Sequence, residues 1–120
     1  MSIEVDLFSH LSNDTGIVSL VAERIYPLLM PQDSVMPVVV CTIVNNKELQ
    51  AINSREPYGF DVLVQVDCYS KDFDEALALK GMVQSSMHSF IHMAHGLNSR
   101  SAYESETELF RQLIEFNLKG

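Results

Sequence analysis

Apolar and polar positions alternate most regularly over Gly59–Ser70, where Phe60, Val62, Val64, Val66 and Cys68 are interleaved with Asp61, Gln65 and Asp67. Successive strand side chains point to opposite sides, so this spacing predicts a central β-strand with one apolar row. Leu63 and Tyr69 fall on the other, mostly polar side, which predicts that this side is half covered, as by a neighbouring chain. Beyond the strand the period changes. Phe73, Ala76, Leu79, Val83, Met87, Phe90 and Ala94 follow one another in steps of three and four, the spacing of a single helix stripe. A long helix over about 73–95 is therefore expected on the Phe60–Cys68 row, opened by Asp72 with Glu75 three positions later and stopped at Gly96.

The same reading extends to both ends of the chain. Ser2 is placed to cap a first helix whose Ile3, Leu7, Phe8 and Leu11 share one side. Ser12-Asn13-Asp14 is a turn and capping cluster, and Ile17, Leu20 and Val21 predict a second helical segment. From Arg24 the chain becomes a connector punctuated by Pro27, Pro31 and Pro37, because proline lacks the N–H that regular structure needs. Val38–Val44 is a continuous, β-branched apolar run that predicts a buried strand. Asn45-Asn46-Lys47 has turn chemistry, and Glu48–Pro57 reads as a polar excursion, so the two strands form a long antiparallel hairpin with an exposed tip. Asn98–Ser105 is either an edge strand or a loop. Leu109–Leu118 alternates again and predicts a closing strand, with Phe110, Ile114, Phe116 and Leu118 on one face. The expectation is a single domain over residues 1–120: α+β, with an antiparallel sheet of three to four strands and the long and N-terminal helices packed on one face.

Composition narrows the partners. Of 120 residues, 47% are hydrophobic and 20% charged, the proportions of a globular domain, and no apolar run approaches the roughly 20 residues that a membrane span requires. Glu4, Asp6 and Ser9 break up the N-terminal apolar residues, which argues against a signal or transit peptide and for a cytosolic origin. The formal net charge is −8, with only eight Lys and Arg in total, and these are scattered. Specific nucleic-acid binding draws on clustered cations and is not expected. Cys41 and Cys68 each sit in an apolar strand pattern and are expected to be reduced core residues rather than a disulfide or metal pair.

Candidate chemistry is sparse. His88, His92 and His95 are spaced i, i+4, i+7, which on a continuous helix lines up three imidazoles able to hold a divalent metal. On that helix they would point about 140° away from the apolar stripe, toward solvent, and no HExxH-like carboxylate accompanies them. A solvated helix face is the reading, and no metal or cofactor is expected. Asp61 and Asp67 lie too far apart on one strand for coupled acid–base work, and Asp72, Asp74 and Glu75 are accounted for by helix capping. No nucleophile elbow, glycine-rich phosphate loop or CxxC occurs in the sequence, so no catalytic residues are expected and the chain does not read as an enzyme. What stands out is apolar surplus. Leu63, Tyr69, Leu109 and Leu113 would be exposed on a sheet covered on one face only, which makes them candidates for contact between copies.

Several stretches together resemble a known family. A short N-terminal helix leads to Glu23-Arg24-Ile25-Tyr26-Pro27, then Pro31-Gln32 and Pro37-Val38-Val39-Val40; later Val64-Gln65-Val66-Asp67-Cys68-Tyr69-Ser70 runs into Asp72-Phe73-Asp74-Glu75-Ala76. This series is similar to the tail-completion, or tail-terminator, proteins of long-tailed phages and prophages. The resemblance implies a structural protein of the virion tail or neck, assembled in the host cytoplasm. It would form a homohexameric ring, preformed or built on its template, that caps the finished tail tube, ends its polymerisation and takes part in head–tail joining. The implied partners are the tail tube protein and the head–tail connector protein. The motif residues Arg24, Tyr26 and Pro27 would fix the connector's path rather than bind a ligand. A ring of such acidic subunits would repel DNA passing through it. Two alternatives remain at this point: a neck or head-completion protein of the same pathway, and a small metal- or ligand-binding α+β module using the histidine row.

Overall fold

The computed structural model describes residues 3–28, 30–50, 57–90 and 93–119, with the side chains of 3, 4, 45–50, 57–61, 93–95, 97 and 119 left out of the description. The elements run α1 (Ile3–Ser12), α2 (Thr15–Val21), β1 (Ile25–Pro27), β2 (Val38–Gln50), β3 (Pro57–Ser70), α3 (Phe73–Met87), β4 (Met93–Glu104) and β5 (Leu109–Lys119). The expected α+β layer is present. Five strands form one sheet in the order β1-β2-β3-β5-β4, antiparallel except for β1, which runs parallel to β2.

The alternating stretch is the central strand. Val62, Val64, Val66 and Cys68 are wholly buried and share one cluster with Leu7, Leu11, Ile17, Leu79, Val83 and Met87 from the helices. Cross-strand neighbours extend the same face: Val39 opposes Cys68 and Cys41 opposes Val66 on β2, while Ile114 opposes Val66 and Phe116 opposes Val64 on β5. The Phe60 side chain and the expected Ser2 cap lie outside the described residues. α2 is capped by Asp14, whose carboxylate accepts a hydrogen bond from the Ile17 N–H at 3.1 Å, a side-chain cap that satisfies one of the open first-turn donors.

The structure corrects the sequence reading at four places. First, α3 stops at Met87 instead of continuing to 95; Phe90 is still buried in the core beyond the helix end, but Ala94 and Gly96 belong to β4. The last turn tightens through three-residue-spaced bonds from the His88, Ser89 and Phe90 N–H groups to the carbonyls of Ser85, Ser86 and Met87. Ser85, Ser86, His88 and Ser89 are weak helix formers, and pairing of 93–104 with β5 outweighs what further helix would contribute. Second, Asn45-Asn46-Lys47 is no turn: these residues continue β2 opposite Leu63, Val62 and Asp61, after a register shift between Ile43 and Asn45 that leaves Val44 exposed. The local turn preference is absorbed as a β-bulge. The hairpin tip, 51–56, lies outside the described residues. Third, the connector contains β1, so the sheet is mixed. Fourth, β5 does not close the sheet but lies between β3 and β4, which is the edge.

Candidate functional site

The sheet face turned away from the helices carries a polar network whose members come from β3, β5 and the end of β4. Asp67 and Arg111 both occupy that face, flanking the paired positions Asp67–Leu113 and Tyr69–Arg111. Arg111 Nε donates to Asp67 Oδ1 at 2.8 Å, and Gln65 Nε2 donates to the other oxygen, Oδ2, at 3.0 Å. Arg111 Nη1 also lies 3.7 Å from Glu104 Oε1, and its guanidinium carbon sits 5.8 Å from the Tyr69 ring centroid. Asp67 is only 3% exposed, so its charge is tolerated because both oxygens are occupied by donors. The hydrogen bond to Asp67 pushes the Arg111 pKa up, against the opposing effect of burial. Burial raises the Tyr69 hydroxyl, with Arg111 pulling the other way.

A recess of about 320 Å³ opens beside this network, lined by Leu28 and Met30 of the connector and by Val40, Thr42, Gln65 and Tyr69 as well as the ion pair. The connector's two ends are held together by Arg24, whose Nε donates to the Pro37 carbonyl at 3.0 Å and whose Nη2 donates to the Leu20 carbonyl at 3.1 Å. One guanidinium thus ties the end of α2 to the start of β2. Tyr26 and Pro27 sit opposite Val40 and Cys41 in the β1–β2 pairing. The apolar surplus expected on this face is smaller than the alternation implied. Leu109 and Leu113 are 4% and 3% exposed within one chain, and Leu63 and Tyr69 are half-buried. Leu113 is closed in by its own surroundings, between Asp67 and Arg100 in the ladder.

The histidine row is taken apart by the end of α3. His88 is the exposed residue that caps the helix, His92 lies outside the described residues, and His95 falls on β4 opposite Asn117. The helix that would line up the three imidazoles ends at Met87, and no group of three or more metal-ligating side chains occurs among the described residues. That removes the basis for a metal module on this row. Asp72, Asp74 and Glu75 do structural work at the β3–α3 corner: Asp72 Oδ1 accepts from the Asp74 N–H at 3.1 Å, and the Ser70 hydroxyl accepts from the Asp72 N–H while donating to Glu75 at 2.7 Å. Glu75 thus closes the corner through Ser70, two positions before the cap. Both cysteines are free and buried. Burial pushes the Cys41 thiol up to about 12, with Asp67 adding to it, and raises Cys68 for the same first reason, so neither is a thiolate nucleophile at neutral pH.

Sequence reasoning missed two contacts. The Asp67–Arg111 pair was hidden because it depends on which strand neighbours β3 and in what register; the only signal was one acid and one base on polar sides of two alternating runs. His10, in α1, donates from Nε2 to the Ser86 carbonyl at 2.7 Å and packs 5.0 Å from the Phe90 ring, fastening α1 to the end of α3.

A mixed five-stranded sheet with helices on one face and an ion pair closing the other makes this a two-layer α+β domain. A family model described as Tail completion protein gp17 matches residues 5–118. The chain belongs to that family, and is a structural protein of the phage tail or neck rather than an enzyme. A chain in a solved structure titled "Virion of native gene transfer agent (GTA) particle" is similar in fold, with a TM-score of 0.73 and 12% identity over 98% of this chain and 93% of that chain. No curated protein sequence matches.

Proposed function

We propose that this protein completes the tail as a ring of like subunits, which caps the finished tube, ends its polymerisation and offers a surface to the head–tail connector. The observation that carries the reading is the pair of open sheet edges. On one side β4 is the last strand, and its residues 98–103 are exposed. On the other, β1 pairs with β2 only at Val39, Val40 and Cys41, which leaves the outer edge of β2 beyond Cys41 unpaired among the described residues. Exposed edges are templates for pairing with another chain. Two different edges on one subunit make a head-to-tail contact, which closes into a ring when the rotation permits. Leu63 and Tyr69 stand on the central strand, away from both edges, and stay half-buried on the far face in such a contact, whereas Leu109 and Leu113 are already enclosed. The acidic balance of the chain, −8, suits a collar that DNA must slide through without sticking.

Deletion of the gene is the test. Loss of a terminator leaves tails of uncontrolled length in electron micrographs. Tails of normal length that fail to join heads would overturn the capping role and assign the protein to the neck instead.

A further inference from the structure

The end of the molecule where β3 passes into α3 and β4 turns into β5 gathers aromatic side chains on the helix side of the sheet. Phe73, the first residue of α3, meets Phe110 with ring centroids 5.6 Å apart and planes at 64°. Tyr103 meets the same ring at 4.9 Å. Such pairs fasten the start of the helix to the sheet, yet Phe73 remains 42% and Tyr103 53% exposed, and Leu77, one turn further along α3, is exposed as well. The β4 positions on this side, Ser99, Ser101 and Tyr103, are all exposed. Two residues along β5 from Phe110, Gln112 is wholly buried; its Oε1 accepts from the Ser101 hydroxyl at 2.9 Å, while its Nε2 meets no acceptor. This flank therefore holds more aromatic surface than the clamp uses, and a buried donor without a partner.

The rim of the patch is acidic. Asp72, Asp74 and Glu75 open α3, and Glu106 and Glu108 stand in the β4–β5 turn, while Glu104 faces the other side of the sheet, toward Arg111. Lys71 precedes Asp72 in the chain, and Arg111 is held by Asp67 on the other face of the sheet. Carboxylates around exposed ring faces favour a guanidinium or ammonium group, through both charge and the ring quadrupole. A second copy of the chain is a poor match. Its formal net charge is −8, with eight Lys and Arg against sixteen Asp and Glu, so an acidic rim would meet a like-charged surface.

We propose that this acid-rimmed aromatic end docks an arginine- or lysine-rich segment of a different protein of the particle. The inference rests on the reading of the chain as an assembly subunit and adds the chemistry of one partner. The test is a titration of the isotopically labelled full chain with a capped hexa-arginine peptide, followed by amide NMR. Shift changes are expected to centre on Phe73, Leu77, Tyr103, Phe110 and the turn at 105–108. The variant E106Q/E108Q is expected to weaken binding about tenfold, and Tyr103→Leu, which keeps apolar area but loses the ring, about threefold. The charge-matched control E23Q/D33N should change it by less than about twofold. Equal losses in both double variants, or shifts spread evenly over all acidic residues, would mean general attraction to an acidic protein and overturn the proposal. Ring formation on purified tail tubes is scored separately. Intact rings with no localised peptide binding defeat this inference alone, whereas localised binding without rings defeats the assembly reading alone.

Discussion

The two faces of the sheet are closed by different physics. On the helix side Val62, Val64, Val66 and Cys68 are covered by Leu79, Val83 and Met87 of α3 and by α1 and α2, and the chemistry is almost entirely apolar. On the far side no helix is available, and Gln65, Asp67, Arg111 and Glu104 are linked by hydrogen bonds and ion pairs that bury a carboxylate without a second layer. Alternation of apolar and polar residues along β3 decides which side chains share a face. Whether that face then needs a partner depends on what the neighbouring strands bring to it. Here β5 supplies an arginine in register and the connector supplies Leu28 and Met30, so the far face is partly self-sufficient.

Each face can be broken separately. The largest effect is expected from Leu79→Ala, which opens a cavity where the side chain is wholly buried and should lower unfolding stability by about 4 kcal/mol; urea titration checks this. On the other face, Arg111→Ala leaves Asp67 buried with Gln65 as its remaining donor and should cost about 3 kcal/mol, toward the low end for a buried pair because the Arg111 side chain is 26% exposed. The double variant Asp67→Leu with Arg111→Leu should recover most of that loss, since it removes the stranded charge as well as the bond. If the double variant is no better than the single one, the pair contributes through packing rather than charge.

The smallest effect sharpens the comparison through pH. Cys41 and Cys68 occupy the helix face, and their folded-state pKa values are raised above the usual 9.0. Below that value both states hold the proton and the thiols leave stability unchanged. As pH rises past it, the unfolded chain loses protons that the folded chain keeps. Stability should therefore fall between pH 9 and about 12, by about 1.4 kcal/mol per thiol per pH unit. Denaturant midpoints at pH 8 and pH 10, compared with those of Cys41→Ala, measure it; an unchanged difference between the two pH values in the variant would show that the Cys41 thiol is not responsible.

Much of the helix face was legible because it rests on short-range periodicity. Val62 to Cys68, Leu7 with Leu11, and Leu79 with Val83 all occupy the core their spacing predicts, and the capped corner at Asp72 follows from residues within a few positions of one another. Membership of the tail-completion family was legible too, as a succession of short motifs rather than any one of them. The helix end was misread because the Phe90 and Ala94 steps continue the helical period, although the serine-rich last turn and the competing β4–β5 ladder end the helix at Met87. Asn45-Asn46-Lys47 failed for a similar reason: a local turn preference worth little yielded to a long ladder with β3.

By itself, then, the order of residues determined the middle of the main helices and strands and the apolar face of the sheet, since these depend on spacing along the chain and on residue type. Only the tertiary structure decided that β5 lies inside the sheet, that Arg111 meets Asp67, that Leu109 and Leu113 are enclosed, and that Phe73, Tyr103 and Phe110 converge at one acidic end. Those facts are set by the register between strands distant in sequence, and register is chosen by the sum of pairings over the whole sheet, which no local pattern contains.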